Sequence, residues 1–286
     1  MALTIGVLFG ITAMVSWGIA DIFAAKAVGK TSVFKTYFWI QTIALAIYLV
    51  TFLLFFDFPV ISLIILGIIL LCAFLGISSV MSYYKGLQVG TISIISPIGA
   101  SYALVTVILG VVFLNQTLTA LQAIAIGLVI LGAILASFKF HDLIKLKLKN
   151  VTAGVRYAIY AMLAWGVMFI FIDILVGKLN WFFPVLAIVA VEIFALLVYS
   201  GATKKNISFP KNVAVFVIIA GVLEAIAFLS TGFSISSVHA AVTAPIIAAY
   251  PAVTIILARI FFKEILDINQ KFGVVSILIG LILLSI

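Results

Sequence analysis

Four carboxyls lie inside stretches of sequence that are otherwise apolar: Asp21, Asp173, Glu192 and Glu224. An acid at the centre of a membrane helix costs about 2.5–3.5 kcal/mol on insertion scales, so each asks for a reason. The chemistry open to such a group is narrow. It can exchange a proton, hold a cationic group, or accept hydrogen bonds that tie two helices together. Glu224 falls near the midpoint of its apolar stretch and is the best candidate for coupling to protons or to substrate charge. Glu192 is equally central, and its plainer reading is a hydrogen-bonded acid joining two helices. Asp21 and Asp173 lie nearer the ends of their stretches; they are candidate coupling groups too, with pairing to a nearby lysine (Lys178 for Asp173) as the plain alternative. Asp21 follows Trp17 by four residues and Asp173 follows Trp165 by eight, so each acid shares a helical face with a tryptophan.

Aromatic residues supply the second set of candidates. Trp17 and Trp165 can stack on an aromatic or cationic solute. Tyr83, Tyr102 and Tyr250 carry polar tips that suit a substrate route, although tyrosine and tryptophan also mark membrane interfaces. Tyr102 and Tyr250 each stand five residues beyond a proline, Pro97 and Pro245. A proline frees the carbonyl four residues back and lets a helix bend, so both are expected to shape helices. The polar run Ser230, Thr231, Ser234, Ser236, Ser237 and His239 is a hydrated vestibule or, more simply, a turn. No paired polar motif suits an enzyme, no glycine-rich phosphate loop is present, and Cys72 is the only cysteine. Catalytic residues, cofactors and a metal site are therefore not expected.

The elements that must position these groups are set by composition. Two thirds of the 286 residues are hydrophobic and 8% are charged, with a mean hydropathy of +1.46. Helices apolar on every side belong in lipid, where each backbone group must be satisfied inside its own segment. Charge and turn residues divide the chain into ten predicted spans, at 4–26, 33–56, 60–84, 90–113, 119–138, 152–177, 181–200, 212–234, 239–262 and 268–286.

The halves repeat at an offset of 148 residues. Trp17-Gly18 falls on Trp165-Gly166, and the window 97–132 matches 245–280 at twelve positions, from Pro97/Pro245 through Tyr102/Tyr250 and Thr106/Thr254 to Gly132/Gly280. Five spans per half is an odd number, so the halves are expected to sit inverted in the bilayer, an arrangement used by secondary transporters. The predicted organisation is an all-α polytopic membrane protein of ten transmembrane helices, with a first five-helix repeat at 1–138, a basic cytoplasmic linker at 139–151 and a second repeat at 152–286.

Charge orients it. Alternate connections carry fifteen of the sixteen Lys and Arg residues, leaving Lys178 alone on the other side. The positive-inside rule then places the 139–150 loop in the cytoplasm and both termini outside the cell membrane. The formal charge of +8 is spread over short loops, so nucleic acid is not expected as a partner. Membrane lipids and a small-molecule solute are, with protons as a coupling ion and the chain acting as a monomer or weak dimer.

The segments from Ser96-Pro97-Ile98 through Tyr102 to Asn115-Gln116, and from Ala244-Pro245-Ile246 through Tyr250 to Lys263-Glu264, resemble the helix 4 and helix 9 signature of EamA-type transporters of the drug/metabolite transporter superfamily. The Trp-Gly pairs and the five-plus-five layout agree with it. The family pattern closes that helix with Gly-Glu; only Glu264 keeps the acid here, which points to a capping role at the membrane surface. The resemblance implies alternating access around a cavity lined by spans 1, 3, 4, 6, 8 and 9, with spans 5 and 10 peripheral. It also implies secondary active export of small metabolites such as amino acids. The competing class is a lipid-handling or structural membrane protein.

Overall fold

The computed structural model describes residues 2–89, 92–138, 154–262 and 266–285, which are helical apart from short connections. The helices are α1 (Ala2–Val28), α2 (Val33–Phe55), α3 (Leu63–Val89), α4 (Ile92–Ala100), α5 (Tyr102–Leu114), α6 (Ala120–Ala136), α7 (Val155–Lys178), α8 (Phe183–Thr203), α9 (Ala214–Val238), α10 (Ala240–Ala248), α11 (Tyr250–Phe262) and α12 (Ile268–Ser285). Seven helices among the described residues are long and apolar enough to cross a membrane, and three shorter apolar helices accompany them, Ala120–Ala136, Ala240–Thr254 and Ile268–Leu284. The chain is a multi-pass membrane protein. The 139–151 linker and Glu264 lie outside the described residues.

Local chemistry sets the helix ends. Ser32 caps α2 by accepting from the Lys35 amide at 3.2 Å. Thr119 and Gln122 form a reciprocal capping box on α6. Asn180 Oδ1 accepts from the amides of Phe182 and Phe183 at 2.9 and 2.7 Å where α8 begins. The polar run Ser230 to Ser237 does not form a turn: it completes α9, and the chain breaks only at His239. The hydroxyls explain the difference. Thr231 donates to the Ala227 carbonyl at 2.8 Å, and Ser236 and Ser237 to Phe233 at 2.7 and 3.0 Å, so the helix satisfies its own polar side chains.

The two proline helices are broken at equivalent places. Pro97 lies within α4 and the helix restarts after Ser101; Pro245 lies within α10 and the restart follows Ala249. Ser101 and Ala249 are themselves 148 residues apart, and both have ψ of 0°. Tyr102 and Tyr250 therefore each open a new helical segment.

Contacts between the halves are reciprocal. α1 packs along α9 as α7 packs along α3, and α1 meets α10 and α11 as α7 meets α4 and α5. Thr106 Oγ1 reaches the Gly166 carbonyl at 3.2 Å, and Thr254 Oγ1 reaches the Gly18 carbonyl at 3.0 Å. Each glycine lets a backbone come close: a Cβ at Gly18 would stand 2.5 Å from Val253 Cβ, and one at Gly166 2.5 Å from Val105 Cβ. α6 and α12 pair in the same manner, with a Cβ at Gly132 falling 2.7 Å from the Gly273 carbonyl. Small residues at such crossings are how membrane helices gain packing when lipid removes the hydrophobic drive.

Candidate functional site

α1 and α9 bring Trp17 and Glu224 together, and α3, α5 and α7 bring Tyr83, Tyr102 and Trp165 together. Trp17 Nε1 donates to Glu224 Oε2 at 2.7 Å, joining α1 to α9 across the two halves. The Trp17 indole also meets Phe228 edge-on, with ring centroids 5.7 Å apart. Tyr48 of α2 sits behind Glu224, its hydroxyl 3.5 Å from the Glu224 carbonyl oxygen. Asp21 lies one helical turn from Trp17 and keeps an accessible surface.

Aromatic residues form a second group. Trp165 lies tilted at 5.4 Å from Tyr83 and edge-on at 6.1 Å from Tyr102, and Tyr102 lies 5.2 Å from Phe169. Tyr250 opens α11, and its carbonyl faces Gly18 of α1. Trp17 and Glu224 thus meet at one contact between the halves, and Trp165, Tyr83 and Tyr102 form a separate aromatic group. Tyr102 is buried, while Trp17, Tyr83, Trp165, Glu224 and Tyr250 are half-buried. A carboxyl held by an indole can take up a cation or exchange a proton.

Glu192 belongs to a network of its own. Its Oε2 accepts from the Tyr37 hydroxyl at 3.0 Å and from Gln41 Nε2 at 2.9 Å, which ties α8 to α2. Gln41 Oε1 is buried without a partner. Gly76 occupies the position in the first half equivalent to Glu224, and a methyl there would collide with Glu192 Oε1. The protein thus has a carboxyl at both related places, one carried by α9 and the other reaching across from α8 to α3. Tyr37 and Gln41 escape a reading based on charge, although their i, i+4 spacing in an apolar span is a usable signal.

Asp173 lies apart from the cluster, at one end of the bundle. Its partners are Gln116 Nε2, the Ala240 amide at 3.1 Å and, at 3.6 Å, His239 Nδ1. Gln116 Oε1 accepts in turn from the Ala241 amide at 3.2 Å. Asp173 and Gln116 together cap the start of α10 from two other elements. His239 links α9 to α10 with φ 63° and ψ 165°, a region that is essentially glycine's. His239→Gly is expected to raise the melting temperature of the purified protein, by an amount corresponding to about 1 kcal/mol of released strain. His239→Ala, with the same loss of the imidazole, should give no such rise.

Comparison with known proteins gives consistent results. A family model described as the EamA-like transporter family matches residues 4–138 and again 152–286. An uncharacterized transporter of Archaeoglobus fulgidus is 24% identical over 288 residues, covering 97% of both chains. An uncharacterized protein of Methanocaldococcus jannaschii is 32% identical over 122 residues, covering 43% of this chain and 88% of that one. A solved crystal structure shares the fold with a TM-score of 0.79 at 14% identity, over 98% of each chain.

Proposed function

The chain belongs to the EamA-like transporter family, within the drug/metabolite transporter superfamily, and on that premise we propose a secondary active carrier that exports small metabolites such as amino acids by alternating access. The observation that carries this reading is the Trp17–Glu224 hydrogen bond, which sets a carboxyl from one half against an indole from the other, with Asp21 one helical turn from that indole.

The ten-span inverted repeat is part of the proposal. Reciprocal contacts at the 148-residue offset and paired helix breaks at Ser101 and Ala249 support it. Residues 1–138 and 152–286 form the two moving halves, with α4–α5 and α10–α11 as the broken helices that such carriers place at their binding sites. Pro97 and Pro245 keep those helices bendable. In this reading Glu224, with Asp21, holds either a proton or the ammonium of the solute. Loading one displaces the other, so solute and proton cross in opposite directions. Trp17, Trp165, Tyr83, Tyr102 and Tyr250 enclose the rest of the solute, and Asp173 secures the end of the bundle. The carrier acts as a monomer or weak dimer.

A thermal-shift screen against amino acids, nucleosides, sugars and amines identifies the solute, since a ligand of the native state raises stability. Liposomes preloaded with that solute should then show accelerated uptake of its labelled form. Equal uptake with and without preloading would make the protein a channel, and uptake of nothing beside rapid lipid scrambling would make it a lipid-handling protein.

Sidedness follows from the lysine distribution. Cysteines replacing the exposed residues Lys178 and Lys204 should differ in intact cells: an impermeant thiol reagent should modify the first and spare the second. The opposite pattern would invert the protein in the cell membrane.

A further inference from the structure

At the end of the bundle opposite Asp173, the α1–α2 connection and the α8–α9 connection enclose a groove of about 760 Å³. Four lysines line it, Lys30 and Lys35 from the first half and Lys205 and Lys211 from the second, and none of its lining residues is acidic. Four ammonium groups gathered with no acidic residue among the described lining repel one another. Neighbouring groups hold three of them in place: Lys35 Nζ donates to Ser208 Oγ at 3.2 Å, Lys205 Nζ lies over the rings of Phe34 and Tyr199 at 5.3 and 5.0 Å, and Lys30 Nζ lies over the Phe216 ring at 5.9 Å. Thr31, Ser32, Asn206 and Asn212 add hydrogen-bonding groups around them. Charge-assisted donors of this kind suit phosphate oxygens.

The surroundings indicate what carries the phosphate. Tyr199, beneath Lys205, is 46% exposed, and the flank of α8 that continues from it exposes Phe194 at 68% and Val198 at 57%. An anion bound here therefore has an apolar helix face running away from it at membrane depth. By the lysine distribution this end faces the cytoplasm, where anionic lipids concentrate. We propose that the groove binds the phosphate headgroup of an anionic phospholipid of the cytoplasmic leaflet, with its acyl chains along α8. Because the lysines come from both halves, a headgroup that engages all four favours the arrangement in which they converge. This assignment does not depend on the transported solute.

The test uses the full chain in phosphatidylcholine bilayers, with and without phosphatidylglycerol, read by native mass spectrometry for bound lipid and by melting temperature. Phosphatidylglycerol should bind and raise the melting temperature. Lys35→Gln/Lys205→Gln should weaken that binding by about thirtyfold, whereas Lys35→Arg/Lys205→Arg should retain it. Lys85→Gln/Lys271→Gln removes the same charge from exposed sites outside the groove and should leave affinity within about twofold. Glycerol 1-phosphate alone should give little of the rise. Equal weakening by the two glutamine pairs would reduce the groove to diffuse attraction, and a full rise with glycerol 1-phosphate would assign it to a soluble phosphate ester; either result overturns the proposal.

Discussion

Glu224→Gln is expected to reduce proton-driven accumulation of solute to the level of protein-free liposomes while the protein still folds and remains monodisperse in detergent. Glutamine keeps the shape of the side chain and can still accept from Trp17 Nε1, but it cannot titrate or carry charge. The Trp17–Glu224 contact at 2.7 Å therefore survives in form, and what is lost is the exchange of a proton for the solute. Solute binding in the thermal-shift assay should weaken by about tenfold, the loss of one charge-assisted contact. Asp21→Asn should act in the same direction. Glu192→Gln should differ, because that carboxyl is already held by Tyr37 and Gln41; its main effect should fall on stability. Unchanged pH-dependent transport in Glu224→Gln would make Glu224 a structural group.

Gly18→Ala and Gly166→Ala should each destabilise the protein by about 1–3 kcal/mol, the usual cost of overpacking. At Gly18 the new methyl would meet Val253 Cβ at 2.5 Å and the Tyr250 carbonyl at 2.8 Å; at Gly166 it would meet Val105 Cβ at 2.5 Å and the Tyr102 carbonyl at 3.0 Å. Backbone cannot move aside as a flexible side chain can. Each substitution must push a helix of one half away from the broken helix of the other, beside the tyrosine that opens its second segment. Melting in detergent should show the two variants losing similar stability, since the contacts are reciprocal. Gly67→Ala and Gly127→Ala, where nothing lies within 4 Å, should be neutral or slightly stabilising through helix propensity. Loss at Gly18 without loss at Gly166 would contradict the equivalence of the halves.

The parts of this fold that depend on pattern are readable in the sequence. Apolar length and charge separate the helices, and the 148-residue offset pairs Gly18 with Gly166 and Pro97 with Pro245. The same offset pairs Gly76 with Glu224, a signal that charge alone does not supply. Partners joined only by tertiary packing are not readable. Asp173 meets Gln116 and the Ala240 amide across 57 and 67 residues, and nothing local distinguishes them from Lys178 as its partner. The Ser230–Ser237 run reads as a turn because its polar side chains are counted against a helix, whereas bonding to carbonyls three or four residues back keeps the helix intact. Pro97 and Pro245 announce a disturbance, but its location at Ser101 and Ala249 follows from how the next helix segment packs.

The central claim is that the two halves expose the Glu224 cluster to one side at a time. Spin labels on cysteines at Gly29 and Thr203 report one end of the bundle, and labels at Thr117 and Ser236 the other; all four positions are exposed, and Cys72 is fully buried. Pulsed electron resonance in lipid bilayers measures both distances on moving from alkaline to acidic buffer, and again on adding the solute found by thermal shift. The account predicts that one distance lengthens as the other shortens, and that Glu224→Gln removes the response to pH but not the pairing of the two changes. Distances that rise and fall together, or that never change with pH or solute, would contradict it.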